Sequence, residues 1–198
     1  MARAPTVGGL PKEVTSAAAL AVPGVERVVT LSTGVAVIAR DFWAAKRGRA
    51  ALQVKWERGV NGNRSSATHA VELDAALTSP GRSARSDGVI AGDLAGDQVV
   101  SADYRTPFLA HAALEPLAAT AHVQADRCDV WLGTQSPSRV QQWGAKLTGL
   151  PEARIFVHTH TIGGAFGRRG EWDFYLEAIE LSKLTAAPIK LMRTREDD

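Results

Sequence analysis

The feature that most constrains this chain is a glycine-rich stretch near its C-terminal end. Residues 163–169 read Gly-Gly-Ala-Phe-Gly-Arg-Arg, between a β-rich run at 155–158 and an amphipathic pattern over 171–184. Glycine adopts positive φ and lets a ligand approach the backbone, and a following helix N-terminus favours negative charge. A strand, a glycine loop and a helix in this order therefore predict either a tight structural turn or an anion-binding loop.

Three side chains of this loop favour the ligand-binding interpretation. A loop that only turns gains nothing from an apolar ring between glycines, which Phe166 supplies, and Arg168 and Arg169 could neutralise phosphates. A nucleotide-phosphate loop of an unrelated α/β protein is the weaker alternative. Nothing acidic follows at the dinucleotide-binding spacing, and no Gly-Lys-Ser/Thr sequence ends the loop.

Composition limits the class of protein. The chain has 198 residues, of which 45% are hydrophobic and 22% charged, with a net charge of +2. This is an ordinary globular composition without the charge blocks of a nucleic-acid-binding arm. A single cysteine, Cys128, excludes an internal disulfide framework and cannot alone hold an iron–sulfur cluster or structural zinc. No apolar run is long enough to span a membrane, and residues 1–10 contain no apolar core of a secretory signal.

Hydrophobic periodicity predicts an α+β fold with mixed sheets and packed helices. A shift to Arg, Gly, Asn and Ser over residues 57–66 marks the best linker candidate. Helices are predicted over residues 14–20, 42–52 with Asp41 as N-cap, 67–77 capped by Ser66, 137–148, and 171–184. Strands are predicted over residues 27–31, 35–39, 53–56, 99–104, 117–123, 129–132, 154–158 and 189–192.

The helix predicted over residues 171–184 has two distinct faces. Its predicted apolar stripe consists of Trp172, Tyr175, Leu176 and Ile179. The residues predicted to face water are Asp173, Glu177, Glu180 and Lys183.

Three stretches together resemble a known family. Residues 111–116 (His-Ala-Ala-Leu-Glu-Pro), 131–137 (Trp-Leu-Gly-Thr-Gln-Ser-Pro) and the glycine loop at 163–169 are similar to motifs of the molybdopterin-binding large subunit of the xanthine dehydrogenase/aldehyde oxidase family. Gly-Gly-x-Phe-Gly followed by Arg-Arg resembles the isoquinoline 1-oxidoreductase β-subunit-like branch. Order and spacing also match, and residues 188–198 resemble the strand and acidic turn that follow in the family.

The resemblance implies a domain organisation. Residues 1–57 are similar to the second half of an α/β hammerhead domain, and residues 58–98 are interpreted as a linker with a small helix. Residues 99–198 are similar to the first part of the first molybdopterin-binding domain. The chain is therefore expected to be a fragment of a longer large subunit.

The resemblance also implies roles for individual residues. The family's glutamine that hydrogen-bonds an oxo ligand of molybdenum falls on Gln135, whose neutral amide can donate without adding charge beside the metal. Phe166 falls in the metal–substrate region, and Arg168 is a candidate partner of the cofactor phosphates. From the residues alone, the alternatives are that Gln135 is a polar loop residue and that Phe166 is a core ring. The complete set of expected cofactor-binding residues is Gln135, Gly163, Gly164, Ala165, Phe166, Gly167 and Arg168.

No catalytic residue is assigned to this chain. Glu115, before Pro116, could be mistaken for a general base, but the family's catalytic glutamate belongs to a motif further downstream. His158 and His160 share the spacing of one sheet face, but no third metal ligand is in register with them. The family's molybdenum is held by the dithiolene sulfurs of the pterin, so no ligand cluster is expected from the protein.

The function implied by the resemblance is that of an oxidoreductase. The whole enzyme would hydroxylate aldehydes or N-heteroaromatics with water, using a molybdenum–molybdopterin cofactor in its cytosine dinucleotide form. It would pass electrons to [2Fe–2S] clusters on a small partner subunit, and the remainder of the large subunit would be a second partner. This chain alone is expected to be inactive; the alternative is a non-catalytic binding or assembly module. The compartment is left open between the cytoplasm, for the sequence as written, and the periplasm, if an export signal is missing upstream.

Overall fold

The computed structural model describes residues 1–88 and 100–197. These residues form two compact units, one made of Met1–Gly62 with Ala110–Asp198 and the other of Asn63–Leu109. Mixed sheets and packed helices confirm the predicted α+β class.

The first unit begins with two antiparallel strand pairs. Its first elements are β1 (Leu10–Thr15), α1 (Ala17–Leu20), β2 (Val25–Leu31), β3 (Gly34–Ala39), α2 (Phe42–Ala51) and β4 (Gln53–Glu57). β1 pairs with β4, and β2 forms a hairpin with β3. The predicted helix over 14–20 is wrong for Val14 and Thr15, because both residues pair with β4, a partner that local periodicity cannot reveal. The predicted N-cap is confirmed: the Asp41 carboxylate accepts a hydrogen bond from the Ala44 N–H, 2.8 Å away.

The second unit contains one helix, α3 (Ser66–Leu77), among its described residues. Its N-cap is Ser65 rather than the predicted Ser66, because the Ser65 hydroxyl accepts from the Thr68 N–H while the Thr68 hydroxyl accepts from the Ser65 N–H. The predicted strand over 99–104 does not form at residues 100–104, and residue 99 lies outside the described residues.

The second part of the first unit is a four-stranded sheet with two helices on one face. Its elements are β5 (Ala118–Val123), β6 (Cys128–Leu132), α4 (Pro137–Thr148), β7 (Ile155–Thr159), α5 (Asp173–Thr185) and β8 (Ile189–Met192). The strand order is β7-β6-β5-β8, and only the pair joined by α4, β6 with β7, is parallel. Alternate β6 residues, Cys128, Val130 and Leu132, pack against helix residues such as Val140 and Ile179. The glycine loop leaves this sheet at the end of β7.

One face of α5 differs from the prediction. Glu177, predicted to face water, has a side chain that is 3% exposed and forms ion pairs with Arg3 and Arg193. A buried carboxylate is tolerated when cations and hydrogen bonds surround it, and here both cations come from distant parts of the chain. Asp173, at the start of α5, binds Arg193 and Arg168, each with an oxygen–nitrogen distance of 2.7 Å.

Within the described residues, no helix combines the length and the apolar character needed to cross a membrane.

The Asp173 carboxylate should make the protein acid-sensitive. Burial would raise its pKa, but the hydrogen bond from Arg168 and the charge of Arg193 outweigh burial and lower the pKa below its ordinary value. A carboxylate whose pKa is lowered on folding stabilises the folded state fully at pH values above its unfolded-state pKa of about 4. This stabilisation is lost as the pH falls from there through the folded-state pKa. Urea unfolding should therefore show a larger loss of free energy between about pH 7 and about pH 3 for the wild type than for Asp173→Asn. The exposed Asp126→Asn variant serves as control, and equal losses in wild type and Asp173→Asn would contradict the expectation.

Candidate functional site

The three stretches singled out in the sequence meet at the side chain of Arg169. This guanidinium is fully buried, with 0% exposure. Its Nε donates to the Gly164 carbonyl at 2.8 Å, and its Nη2 donates to the Glu115 carbonyl at 2.8 Å. A longer contact of 3.4 Å joins Nη1 to the Gly133 carbonyl. Each stretch thus supplies a backbone acceptor to the same cation, so Arg169 has a structural role here rather than that of an exposed phosphate partner.

Glu115 completes the connection between the first stretch and the glycine loop. Its Oε2 lies 2.8 Å from Arg169 Nη2 and accepts a hydrogen bond from the Gly163 N–H at 2.7 Å. The Glu115 N–H in turn donates to the Gly163 carbonyl at 3.0 Å. The carboxylate that resembles a general base in the sequence therefore anchors the loop.

The second stretch is attached to the loop through the backbone of Arg169. The Arg169 carbonyl accepts from the Gln135 N–H at 3.2 Å and from the Thr134 hydroxyl at 3.1 Å. The Gln135 side chain is exposed, and its amide makes no hydrogen bond within residues 1–88 and 100–197. A fixed backbone with an unengaged amide is the arrangement that a ligand-binding glutamine requires.

The glycine loop itself has an unusual backbone. Gly164, Phe166 and Gly167 all have positive φ, of 97°, 50° and 89°. Phe166 is a bulky residue in the left-handed region, which is rare and is found at functional sites. Its ring is 74% exposed, so it is not a core residue.

Four consecutive backbone donors of the loop are open. The N–H groups of residues 164–167 donate no hydrogen bond to any part of the chain that the structure describes. A Cβ placed on Gly167 would meet no atom within 4 Å, so space is open beside this residue. Successive backbone N–H groups in a turn form concavities that attract negatively charged ligands.

Two glycines are required by close packing rather than by φ. A Cβ on Gly163 would lie 2.6 Å from the Glu115 Cβ, and one on Gly133 would lie 2.5 Å from the Ile162 Cγ2. Gly133 and Glu115 belong to the stretches that carry the family resemblance, but the sequence does not predict their packing role, because only the folded chain shows which segments approach them.

Arg168 is engaged within the protein. Its Nη1 and Nη2 donate to the two Asp173 carboxylate oxygens at 2.9 and 2.7 Å. This fork fixes the loop exit to the start of α5. The role of Arg168 as a partner of cofactor phosphates stays a prediction, as do the roles of the other expected cofactor-binding residues.

His158 and His160 each contact another group of the protein. His158 Nε2 lies 2.8 Å from an Asp129 oxygen, and its ring stacks on Trp131 with centroids 4.9 Å apart. His160 Nδ1 instead approaches the Thr161 carbonyl. Among the described residues, no group of three His, Cys, Asp or Glu side chains could hold a metal ion.

The fold and the loop define a molybdopterin cofactor-binding domain. Residues 79–198, more than half of the chain, match the family model of the molybdopterin cofactor-binding domain. The chain therefore belongs to this family, that of the molybdopterin-binding large subunits of the xanthine dehydrogenase/aldehyde oxidase type.

Two curated relatives are similar to most of this chain. The β subunit of isoquinoline 1-oxidoreductase from Brevundimonas diminuta is 30% identical over 98% of this chain. A nicotinate dehydrogenase subunit from Pseudomonas putida is 30% identical over 89% of it. The chain spans 26% and 15% of the lengths of these two relatives.

Solved structures share the fold over nearly the whole chain. Quinoline 2-oxidoreductase from Pseudomonas putida 86 matches 98% of this chain and 30% of its own with a TM-score of 0.67 and 20% identity. Aldehyde oxidoreductase from Desulfovibrio gigas matches 98% of this chain and 26% of its own with a TM-score of 0.70 and 16% identity.

The close approach of the glycine loop to Glu115 yields a test. Gly163→Ala would force a methyl group against the Glu115 side chain, and we expect it to lower the free energy of unfolding by about 1–3 kcal/mol. Gly170→Ala is the matched control, since a Cβ there meets no atom within 4 Å, and we expect a change within about 0.5 kcal/mol. Equal effects of both substitutions in urea unfolding would show that the loop is not packed on Glu115.

Proposed function

We propose that this chain is the cofactor-loop portion of the large subunit of a molybdenum hydroxylase, an oxidoreductase that hydroxylates aldehydes or N-heteroaromatics with water. The observation that carries the proposal is the row of four open N–H groups at residues 164–167, together with the unengaged side-chain amide of Gln135, whose backbone N–H donates to the Arg169 carbonyl. The names of the curated relatives, which refer to isoquinoline and nicotinate, support the substrate class.

The donor set fits the pterin cofactor and its metal–oxygen group. The Gln135 amide and the N–H groups of residues 164–167 are neutral, so they can bind oxygen and phosphate acceptors without adding charge next to the metal. Open space beside Gly167 allows a large planar group to approach the backbone. The residues proposed to hold the cofactor are Gln135, Gly163, Gly164, Ala165, Phe166, Gly167 and Arg168. When bound, the molybdenum–molybdopterin group supplies the two-electron redox chemistry.

The protein residues position and shield this chemistry. The Gln135 amide would donate to an oxygen of the cofactor, and the N–H groups of residues 164–167 would hold the group through the main chain. The exposed Phe166 ring offers an apolar surface that a substrate ring can contact. Such a contact would keep water away from the face of the substrate ring that lies against Phe166. The Glu115 carboxylate is held by Arg169 and Gly163, so it does not act as the proton acceptor. That function belongs to the remainder of the large subunit.

The complete enzyme requires partners. We expect the cofactor in its cytosine dinucleotide form, [2Fe–2S] clusters on a small subunit, and the remainder of the large subunit around the loop. Both relatives are named as subunits, which supports an assembly, and the fraction of their length that this chain spans supports a further part of the large subunit. The organisation into a hammerhead-like part (1–57), a linker (58–98) and a cofactor-binding part (99–198) is included in this proposal.

Molybdenum and pterin content tests the proposal. The chain should be produced alone and together with a polypeptide that supplies the remainder of the large subunit, and both samples should be examined by elemental analysis and pterin fluorescence. We expect molybdenum and turnover of an aldehyde or quinoline only in the complex. Gln135→Ala should lower turnover by about tenfold or more, while the exposed α4 variant Gln142→Ala should not change it.

Two outcomes would contradict the proposal. Molybdenum-dependent turnover by the 198 residues alone would show that no second part is needed. Absence of molybdenum from both samples would instead support the non-catalytic binding or assembly module.

A further inference from the structure

A second arginine, Arg195, holds the stretch that contains Glu115. Its Nη2 atom donates to the Ala113 carbonyl at 2.5 Å and to the Leu114 carbonyl at 3.1 Å. These two residues come directly before Glu115, whose carboxylate accepts the Gly163 N–H of the glycine loop. One guanidinium nitrogen therefore fixes the backbone from which the anchor of the loop extends.

The stretch around Ala113 depends on such outside contacts. Residues 110–117 form no helix or strand, so their backbone groups lack the regular partners that a helix or a sheet supplies. Ala112 has a positive φ of 47°, in the left-handed region that alanine rarely adopts. The Leu114 side chain is 89% exposed and adds little burial. A backbone of this kind keeps one conformation only when its surroundings determine it, and Arg195 supplies two of the contacts that do so.

The same stretch also packs directly on the glycine loop. A Cβ placed on Gly164 would lie 3.5 Å from the Ala113 Cβ and 3.6 Å from the Ala113 Cα, which is ordinary van der Waals contact. Gly164 is the residue that follows the hydrogen bond from Gly163 to Glu115. A shift of Ala113 would therefore disturb the loop both by packing and through the Glu115 carboxylate.

The turn that carries Arg195 has its own attachment, to α2. This 3₁₀ turn spans Arg195–Asp197. Asp197 Oδ2 accepts from the Thr194 N–H at 2.8 Å and from the Thr194 hydroxyl at 3.0 Å. Arg49, in the last turn of α2, places its Nη1 2.8 Å from both Asp197 carboxylate oxygens. Arg195 thus extends from a base whose position does not depend on the glycine loop.

We propose that Arg195 is a positioning residue for the glycine loop, acting through the backbone of residues 113–115 and the Glu115 carboxylate. The importance of the loop for cofactor binding rests on the proposed function, whereas its position depends on the contacts of this chain itself. Both hydrogen bonds of Arg195 start from one nitrogen. The ammonium of lysine also carries several donors on one nitrogen, so lysine keeps part of this role and an apolar side chain keeps none.

Hydrogen exchange of single amides in the full chain tests this role. Arg195→Met removes the donors and keeps an unbranched side chain. We expect the Gly163 and Glu115 amides to exchange roughly tenfold or more faster in this variant than in the wild type. Arg195→Lys should accelerate both amides less than Arg195→Met does. Arg154→Met, at an exposed arginine away from this stretch, is the control for the loss of one positive charge and should leave both amides unchanged.

The Val130 amide, in a strand of the sheet that is paired on both sides, reports global unfolding. We expect Arg195→Met to change its exchange less than that of the Gly163 and Glu115 amides. Four results would overturn the proposal: wild-type rates at these two amides in Arg195→Met, equal acceleration by Arg154→Met, equal effects of lysine and methionine, or equal acceleration at Val130. The rates are measured without molybdenum, so failure of this proposal is distinguishable from failure of the proposed function, which the metal content decides.

Discussion

The organisation of the site depends on one ion pair, that of the buried Arg169 guanidinium with the partly exposed Glu115 carboxylate. A guanidinium cannot be left buried without acceptors, because the cost of removing it from water is several kcal/mol. Arg169 meets this requirement with the Glu115 carboxylate and with backbone carbonyls from three stretches of the chain. The fork of arginine donors suits such multiple contacts better than the single ammonium of lysine would.

This internal anchoring leaves the backbone donors of residues 164–167 open. The loop is held by the Arg169 side chain and by the hydrogen bond from the Gly163 N–H to the Glu115 carboxylate. The four following N–H groups and the Gln135 amide consequently need no protein partner to keep their positions. A site whose donors are fixed before a ligand arrives loses little freedom on binding, which explains why a glycine-rich loop can serve as a rigid cradle.

Local signals predict much of the fold. The bounds of α4, residues 137–148, are predicted correctly because Pro137 starts the helix, Gly149 ends it with positive φ, and the apolar positions repeat with helical period. The strand at 189–192 is also predicted correctly. Failures occur where distant partners decide the outcome: β1 forms by pairing with β4, and Glu177 is buried because Arg3 and Arg193 neutralise it. The sequence of the glycine loop is enough to identify the loop. The structural role of Arg169, in contrast, is visible only from its contacts in the folded chain.

The most direct test of this account is a double-mutant cycle on the central ion pair. The free energies of unfolding of the wild type, Arg169→Met, Glu115→Gln and the double variant should be measured by urea denaturation under one set of conditions. We predict a coupling energy of about 1–3 kcal/mol, because each substitution leaves the other member of the pair without its charged partner. Effects that add within about 0.5 kcal/mol would show that the two side chains act independently, and would contradict the claim that their contact holds the site together.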